Sequence, residues 1–278
     1  MSHVVCLGLA TQDTIFVVSS HPEPDGRVVA GELVVAGGGP AATAAVALAR
    51  LGVPVFIVGS VGDDEVGSVI RAGLERDGVD VSELAVVPGA RSPQSSILVG
   101  AASARRAIVH YPGTLPPLAP SKRALELMRD ADWVHVDHLG YRSAPSGVRL
   151  SIDGGNPIRG LDLAGVALYS PTETALERDF GSAEAALAAG AELVVVTRGE
   201  QGCRAYTTTE VIEAAASPMP DPISTLGAGD VFHGALLAAL VRGSELAETL
   251  AFANECAAQS CRALDGRSGI PTLEEVRG

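Results

Sequence analysis

Short β-branched runs alternate with alanine- and leucine-rich stretches of helical period along most of this chain, and that alternation does most to limit its fold. Val4 to Leu9, Val53 to Val58, Trp133 to Val136, Val148 to Ile152 and Leu193 to Thr197 read as buried strands. Ala41 to Leu51, Glu65 to Arg76, Ser121 to Met128, Ser182 to Ala189 and Ala228 to Val241 read as helices. Strands alternating with helices predict an α/β fold, in which a mostly parallel sheet is covered on both faces. Ligands of such sheets sit beyond the carboxyl ends of the strands, so the site is sought there.

Two places break the rhythm. Thr14 to Val18 and Val28 to Val35 flank the turn-rich HPEPDG, and Gln94 to Val99 and Arg106 to His110 precede the proline cluster YPGTLPP. Neither pair has a helix between its members, so each predicts an antiparallel hairpin. Hairpins over about 14–35 and 94–110 are expected to build a small sheet projecting from the α/β core as a lid. Only Asp137 to Gly147 separates two strands that should be parallel neighbours, where a crossover normally takes a dozen residues or more and a helix. Either a helix has been lost there or the segment is incomplete.

The charge and cysteine pattern excludes several classes. A net charge of −13 repels nucleic acid and anionic lipid, which are held by Lys and Arg. No apolar run approaches the ~20 residues that span a bilayer, and no basic segment followed by an apolar one opens the chain. A cytoplasmic protein is expected. Cys6, Cys203, Cys256 and Cys261 have no metal-ligand spacing and are expected as buried, reduced thiols.

The sharpest chemical signal is Gly227-Ala228-Gly229-Asp230 running straight into VFHGALLAALV. Glycines allow a tight turn, and a helix start presents unpaired N–H groups and the positive end of its dipole. Those donors suit the charge on a transferring phosphoryl group. Asp230, on the first turn beside them, is either an ordinary stabilising acid or a general base for an attacking hydroxyl.

The surrounding motifs favour the second role. STLGAGDVFHGAL resembles the C-terminal signature of the PfkB carbohydrate kinases, and other elements of that family follow in order along nearly the whole chain. Gly8 and Asp13 are similar to its first strand, and Gly38-Gly39-Pro40-Ala41-Ala42-Thr43 to its glycine-rich substrate motif. Gly59 to Gly67 is similar to its G-x-V-G-D-D-x-x-G element, and Thr197-Arg198-Gly199-Glu200-Gln201-Gly202 to its nucleotide loop. Asn254 to Ala258 and Gly266 to Pro271 resemble the helix and tail beside the adenine.

The resemblance implies a single ribokinase-like domain over residues 1–278: a three-layer α/β sandwich with a β lid, often dimeric through that lid. It implies ATP with Mg²⁺ as cofactor and a sugar as substrate. Asp230 would be the base, beside an anion hole at Gly227, Ala228 and Gly229. Asp13, Gly38, Gly39 and Thr43 would bind sugar, and Thr197, Gly199, Gly202 and Asn254 nucleotide. Asp63 and Asp64 suit a helix cap better than a ligand contact. GGGPAATAAVALARLG, SPQSSILV and LGAGDVFHGAL are nearest the branch containing sulfofructose kinase and ketohexokinase-like enzymes, which points to a ketose or ketose derivative. His110, Asp137, His138 and Arg142 join Asp13 as candidates for selectivity. The histidines serve equally as structural groups, and Arg142 could pair with an acidic substituent.

The chain departs from the family pattern at three positions. Thr43 stands where many members carry asparagine, which alters the hydrogen bonds offered to a sugar. Ser224 replaces an aspartate near the monovalent-cation site of potassium-activated members, putting that activation in doubt. Ser170 replaces the asparagine of N-x-x-E while Glu173 is kept, so a metal contact through water is expected at Glu173. A nucleoside kinase and a non-catalytic sugar or nucleotide sensor remain as alternatives.

Overall fold

The computed structural model describes residues 2–101 and 106–277. In chain order the first elements are β1 (Val4–Leu7), β2 (Thr11–Val18), β3 (Ala30–Gly38), α1 (Pro40–Arg50), β4 (Val55–Gly62), α2 (Glu65–Arg76), β5 (Leu84–Val87), β6 (Gln94–Gly100) and β7 (Arg106–Tyr111). Next come α3 (Lys122–Asp130), β8 (Trp133–Val136), β9 (Leu150–Asp153), β10 (Leu168–Ser170), α4 (Glu173–Asp179), α5 (Ala183–Ala188) and β11 (Leu193–Thr197). Strands β12 (Cys203–Tyr206) and β13 (Val211–Ala214) lead to α6 (Ala228–Val241), α7 (Leu246–Ser260) and α8 (Leu273–Arg277).

Nine strands form one sheet in the order β13-β12-β11-β10-β9-β8-β1-β4-β5, parallel except where β12 and β13 return antiparallel. One face is covered by α1, α6 and α7, whose alanines and leucines pack on Val4, Cys6, Ile57 and Val195. The other carries Val5, Leu7, Met128, Ile152 and Tyr169. Alternate residues of β1 thus enter opposite cores, as a central parallel strand requires. All four cysteines are free and buried, and among the described residues no helix is long and apolar enough to cross a membrane.

The two expected hairpins are present and join. β2 pairs antiparallel with β3 and β6 with β7, while β2 and β6 run parallel, giving a four-stranded sheet in the order β3-β2-β6-β7. Residues 102–105, between β6 and β7, lie outside the described residues. Ile15 and Ile97 pair on the face turned to the core and are buried.

The short connection joins adjacent strands directly. β8 and β9 are parallel neighbours, Val134 opposite Leu150, and residues 137–149 join them with only a 3₁₀ turn at Tyr141–Ser143. Side-chain bonds replace the missing helix as fasteners. Tyr141 Oη donates to the Asp162 carbonyl at 3.0 Å, and Ser143 Oγ donates to the Leu118 carbonyl at 2.7 Å. Arg142 is used the same way, donating to the Arg159 carbonyl at 2.9 Å.

Candidate active site

The carboxyl ends of the central strands, the inner face of the small sheet and the start of α6 enclose one cleft of about 460 Å³. Gly227 caps α6 in the left-handed region (φ 74), and a β-carbon there would press on Gly266, so the turn is built for glycine. The first intrahelical bond runs from the Val231 N–H to the Gly227 carbonyl at 2.9 Å. The amides of Gly229 and Asp230 have no main-chain acceptor among the described residues, as expected at a helix start. Gly227, Gly229 and Asp230 all line the cleft.

Asp230 sits in this wall half-buried. Burial first, then the charge of Asp153, push its carboxyl up to about 7, against the pull of His233 and Arg106. A carboxylate poised near neutrality matches what a general base needs.

Asp13, Gly38, Gly39 and Thr43 also line the cleft. Asp13 Oδ1 is buried with no hydrogen-bond partner, an acceptor left for a ligand. Burial raises the Asp13 carboxyl above its ordinary value, against the Ser95 hydroxyl and the Arg267 charge. A β-carbon on Gly38 would fall on the Asp13 carboxylate, and one on Gly39 (φ 94) would strike the Leu9 carbonyl. Thr43 accepts from Arg267 Nε at 3.4 Å, and Arg267 also donates to the Gly38 carbonyl at 2.7 Å. The position that lacks asparagine is therefore supported by a buried arginine from the C-terminal tail. His110 lines the same region with Nδ1 3.2 Å from Ser95 Oγ, and burial, then His138, lowers its pKa. His138 also lines it, with a buried, unpartnered Nδ1.

Several expected residues lie elsewhere. Asp137 is fully buried behind the cleft, where its carboxylate accepts main-chain N–H groups from Leu9 (2.7 Å), Leu139 (2.9 Å), Gly140 (3.0 Å) and Ala41 (3.4 Å). With its oxygens so engaged it clamps three segments together and has none to offer a sugar. Thr197 reaches the cleft, but Gly199 and Gly202 do not line it. Gly202 (φ 83) is glycine because a β-carbon would strike the Ala214 carbonyl. Asn254 donates through Nδ2 to the carbonyls of Ala214 (3.2 Å) and Ala215 (2.9 Å), shaping the chain after β13.

Glu173 is 69% exposed and lies 3.6 Å from Arg198 Nε, and Ser170 Oγ donates to the Val195 carbonyl at 3.0 Å. Neither lines the cleft, which leaves the expected contact of Glu173 with a metal to run through water. Ser224 is buried with Oγ accepting from Leu226 N–H at 3.1 Å, which spends it on the local turn. Asp64 caps α2 as expected, accepting from Gly67 N–H at 2.8 Å and from Ser92 Oγ at 2.5 Å.

The cleft also contains groups the sequence did not single out. Arg106 reaches from β7 to donate to Thr225 Oγ1 at 2.9 Å, across the loop before α6. Asp153 ends β9, at the strand end where a ligand group belongs, and His233 lies three residues after Asp230, hence on the same helix face. Both spacings were readable signals. Burial alone would raise Asp153, but the charge of His233 holds it down at about 2. Asp153 in turn holds His233 above its ordinary value despite burial.

Comparison with known proteins places this geometry. A model of the pfkB family carbohydrate kinases matches residues 1–152 and 163–273, with its gap opening at Asp153, the last residue of β9. The chain is 27% identical to Bacillus subtilis (strain 168) ribokinase, covering 99% of this chain and 98% of that one. It is 26% identical to Mus musculus ketohexokinase, covering 96% and 98%. Among solved structures, Arabidopsis thaliana ribokinase complexed with ribose and ATP superposes with a TM-score of 0.83 at 23% identity, covering 100% and 98%. Giardia lamblia ribokinase gives 0.87 at 22% identity, also covering 100% and 98%. At these identities the structures establish a shared fold.

Proposed function

Because the chain belongs to the pfkB family of carbohydrate kinases, we propose that its cleft carries the γ-phosphoryl group of ATP to a primary hydroxyl of a ketose or ketose derivative. One observation carries the residue assignment: the half-buried Asp230 and the unpaired α6 amides line the same cleft as the unpartnered Asp13 oxygen.

In this reading Asp13 accepts hydrogen bonds from sugar hydroxyls, with Gly38 and Gly39 letting the main chain come close. The hydroxyl oxygen attacks the γ-phosphorus, its proton passes to Asp230, and the bond to the β–γ bridging oxygen breaks to release ADP. The Gly229 and Asp230 amides meet the charge on the transferring group. Magnesium would arrive with the nucleotide, kept by phosphates and water, and no step here needs Glu173 as a ligand. Thr197 serves the nucleotide end, while Gly199, Gly202 and Asn254 act by shaping the strands beneath it.

The small sheet acts as a lid that excludes water from the transfer. Its register supports a second role. Ile15, Ile97, Ser95 and His110 share the face toward the cleft, while Phe16, Leu98, Leu33, Val35 and Val109 share the other. Leu33, Val35 and Val109 are 57%, 53% and 73% exposed, an apolar surface suited to a second copy of the chain. Sedimentation equilibrium of Val109→Lys against the parent protein tests this, and an unchanged mass would refute a dimer through that face.

The activity is tested by ADP release from Mg·ATP over ribose, fructose, sulfofructose, other ketoses, deoxy-keto-acids and nucleosides. A ketose should stimulate release well above the idle rate. Asp230→Asn should lower turnover by on the order of 10²–10⁴ while ATP still binds. Unchanged turnover would remove Asp230 from the role.

A further inference from the structure

Three ligating side chains converge on one point of the cleft. Asp153 comes from the end of β9, and Asp230 and His233 lie one turn apart on α6. One donor atom from each falls within 4.8 Å of the other two. Asp153 and His233 are 4% and 6% exposed. His233 Nδ1 lies 3.5 Å from Asp153 Oδ2 but is buried with no hydrogen-bond partner. A neighbouring group holds one of these ligands in place: Gly155 N–H donates to Asp153 Oδ1 at 2.8 Å. Outer partners of this kind orient metal ligands. An ion pair between Asp153 and His233 would explain two of the three groups. It leaves the Asp230 carboxylate drawn to the same point against the charge of Asp153.

We propose that Asp153, Asp230 and His233 bind a divalent transition-metal ion of the zinc, cobalt or nickel class, and that filling this site stops phosphoryl transfer. One nitrogen and two carboxylate oxygens suit those ions, which accept imidazole readily, whereas magnesium asks for near-octahedral oxygen ligands. Two carboxylates balance a charge of 2+, and three protein ligands leave a further position facing the cleft. Binding occupies the Asp230 lone pair that an attacking hydroxyl needs. The inhibition rests on Asp230 being the base; the metal site does not.

The test uses the full chain stripped of metal by a chelator, titrated with Co²⁺ and followed by its visible d–d bands and by calorimetry. One ion per chain should bind, with a paramagnetically shifted imidazole proton signal in the unmodified protein. His233→Asn and Asp153→Asn should each weaken binding by about tenfold or more. Zn²⁺ should displace the cobalt, and a large excess of Mg²⁺ should not. Zn²⁺ should abolish sugar-dependent ADP release. The concentration needed, scaled to each protein's own zinc-free rate, should rise about tenfold or more in His233→Asn. Circular dichroism checks both variants, and the shifted imidazole signal decides without any variant. No binding up to millimolar Co²⁺, or binding unchanged in both variants with no shifted imidazole, overturns the site. Binding at the triad with ADP release intact keeps the site and overturns both the inhibition and Asp230 as base.

Discussion

The carboxylate of Asp13 occupies the space that a β-carbon on residue 38 would need. Gly38 ends β3 and Asp13 lies on its neighbour β2, so the absence of a side chain on one strand admits the ligand group of the other. Gly38→Ala should displace Asp13 and raise the sugar KM by about tenfold or more, since a charged hydrogen bond is worth ~1.5–3 kcal/mol. The ATP KM should stay within about twofold, because Asp230 and the α6 amides are built by other elements. Steady-state kinetics with each substrate varied in turn checks this. A parallel rise in both constants would show that the strand pair itself had shifted.

The pH profile follows from Asp230. Its carboxyl is raised to about 7, first by burial and then by Asp153, so it holds a proton on the acid side and cannot accept one from a sugar. The rate constant kcat/KM for the sugar should therefore fall below pH about 7 with unit slope. His233 opposes the rise through its positive charge. Replacing it by Asn removes that charge, leaves the carboxyl easier to protonate, and should move the acid limb to higher pH. The residual activity of Asp230→Asn should lack this limb. Profiles in chelated buffers with Mg²⁺ supplied check all three proteins.

How much of this was legible in the sequence depended on the range of the signal. The five strands and five helices with clean periodicity are present, and the two hairpins were marked by missing helices. Strands β5, β10, β12 and β13 were not read. β5 and β12 mix buried with half-exposed or exposed residues over four positions, β13 buries none of its four and β10 has only three, so none shows the unbroken buried apolar run that marked the others. Asp13, Gly38, Gly39 and Asp230, which line one cleft, were legible as candidates because each sits in a motif of the family pattern. Asp137 looked like a ligand because it ends a central strand. Only the three-dimensional contact with Leu9 and Ala41, far away in sequence, shows its oxygens to be taken. Arg267 was invisible for the same reason, as it reaches Thr43 from the other end of the chain.

Asp64 ties α2 to the segment before β6, and its loss should be a matter of stability. It accepts Gly67 N–H and, through both oxygens, the hydroxyl and N–H of Ser92. Burial opposes its ionisation, but the Ser92 and Gly67 bonds prevail and lower the pKa. A lowered carboxylate stabilises the fold above its unfolded pKa, and that contribution fades as pH falls through the folded value. Asp64→Ala should cost about 1–2 kcal/mol in urea unfolding at neutral pH. The difference from the parent should shrink in acid, below the ~3.9 of a free aspartate. A deficit that stayed constant into strong acid would mean that packing, not the charged cap, was lost.

Asn254 separates a shaping role from direct nucleotide contact. Its Nδ2 bridges the Ala214 and Ala215 carbonyls, where the chain leaves β13 on its way to α6. Asn254→Ala leaves two acceptors short of a donor and should cost about 1–3 kcal/mol of stability. Asn254→Asp keeps the shape but sets a carboxylate against two carbonyl oxygens, so it should be at least as damaging. If the residue acts by shaping, loss of ATP affinity across the two variants should track loss of stability. Unfolding and ATP-binding titrations on the same samples check this. A large rise in the ATP Kd with stability unchanged in Asn254→Ala would instead assign the side chain to the nucleotide.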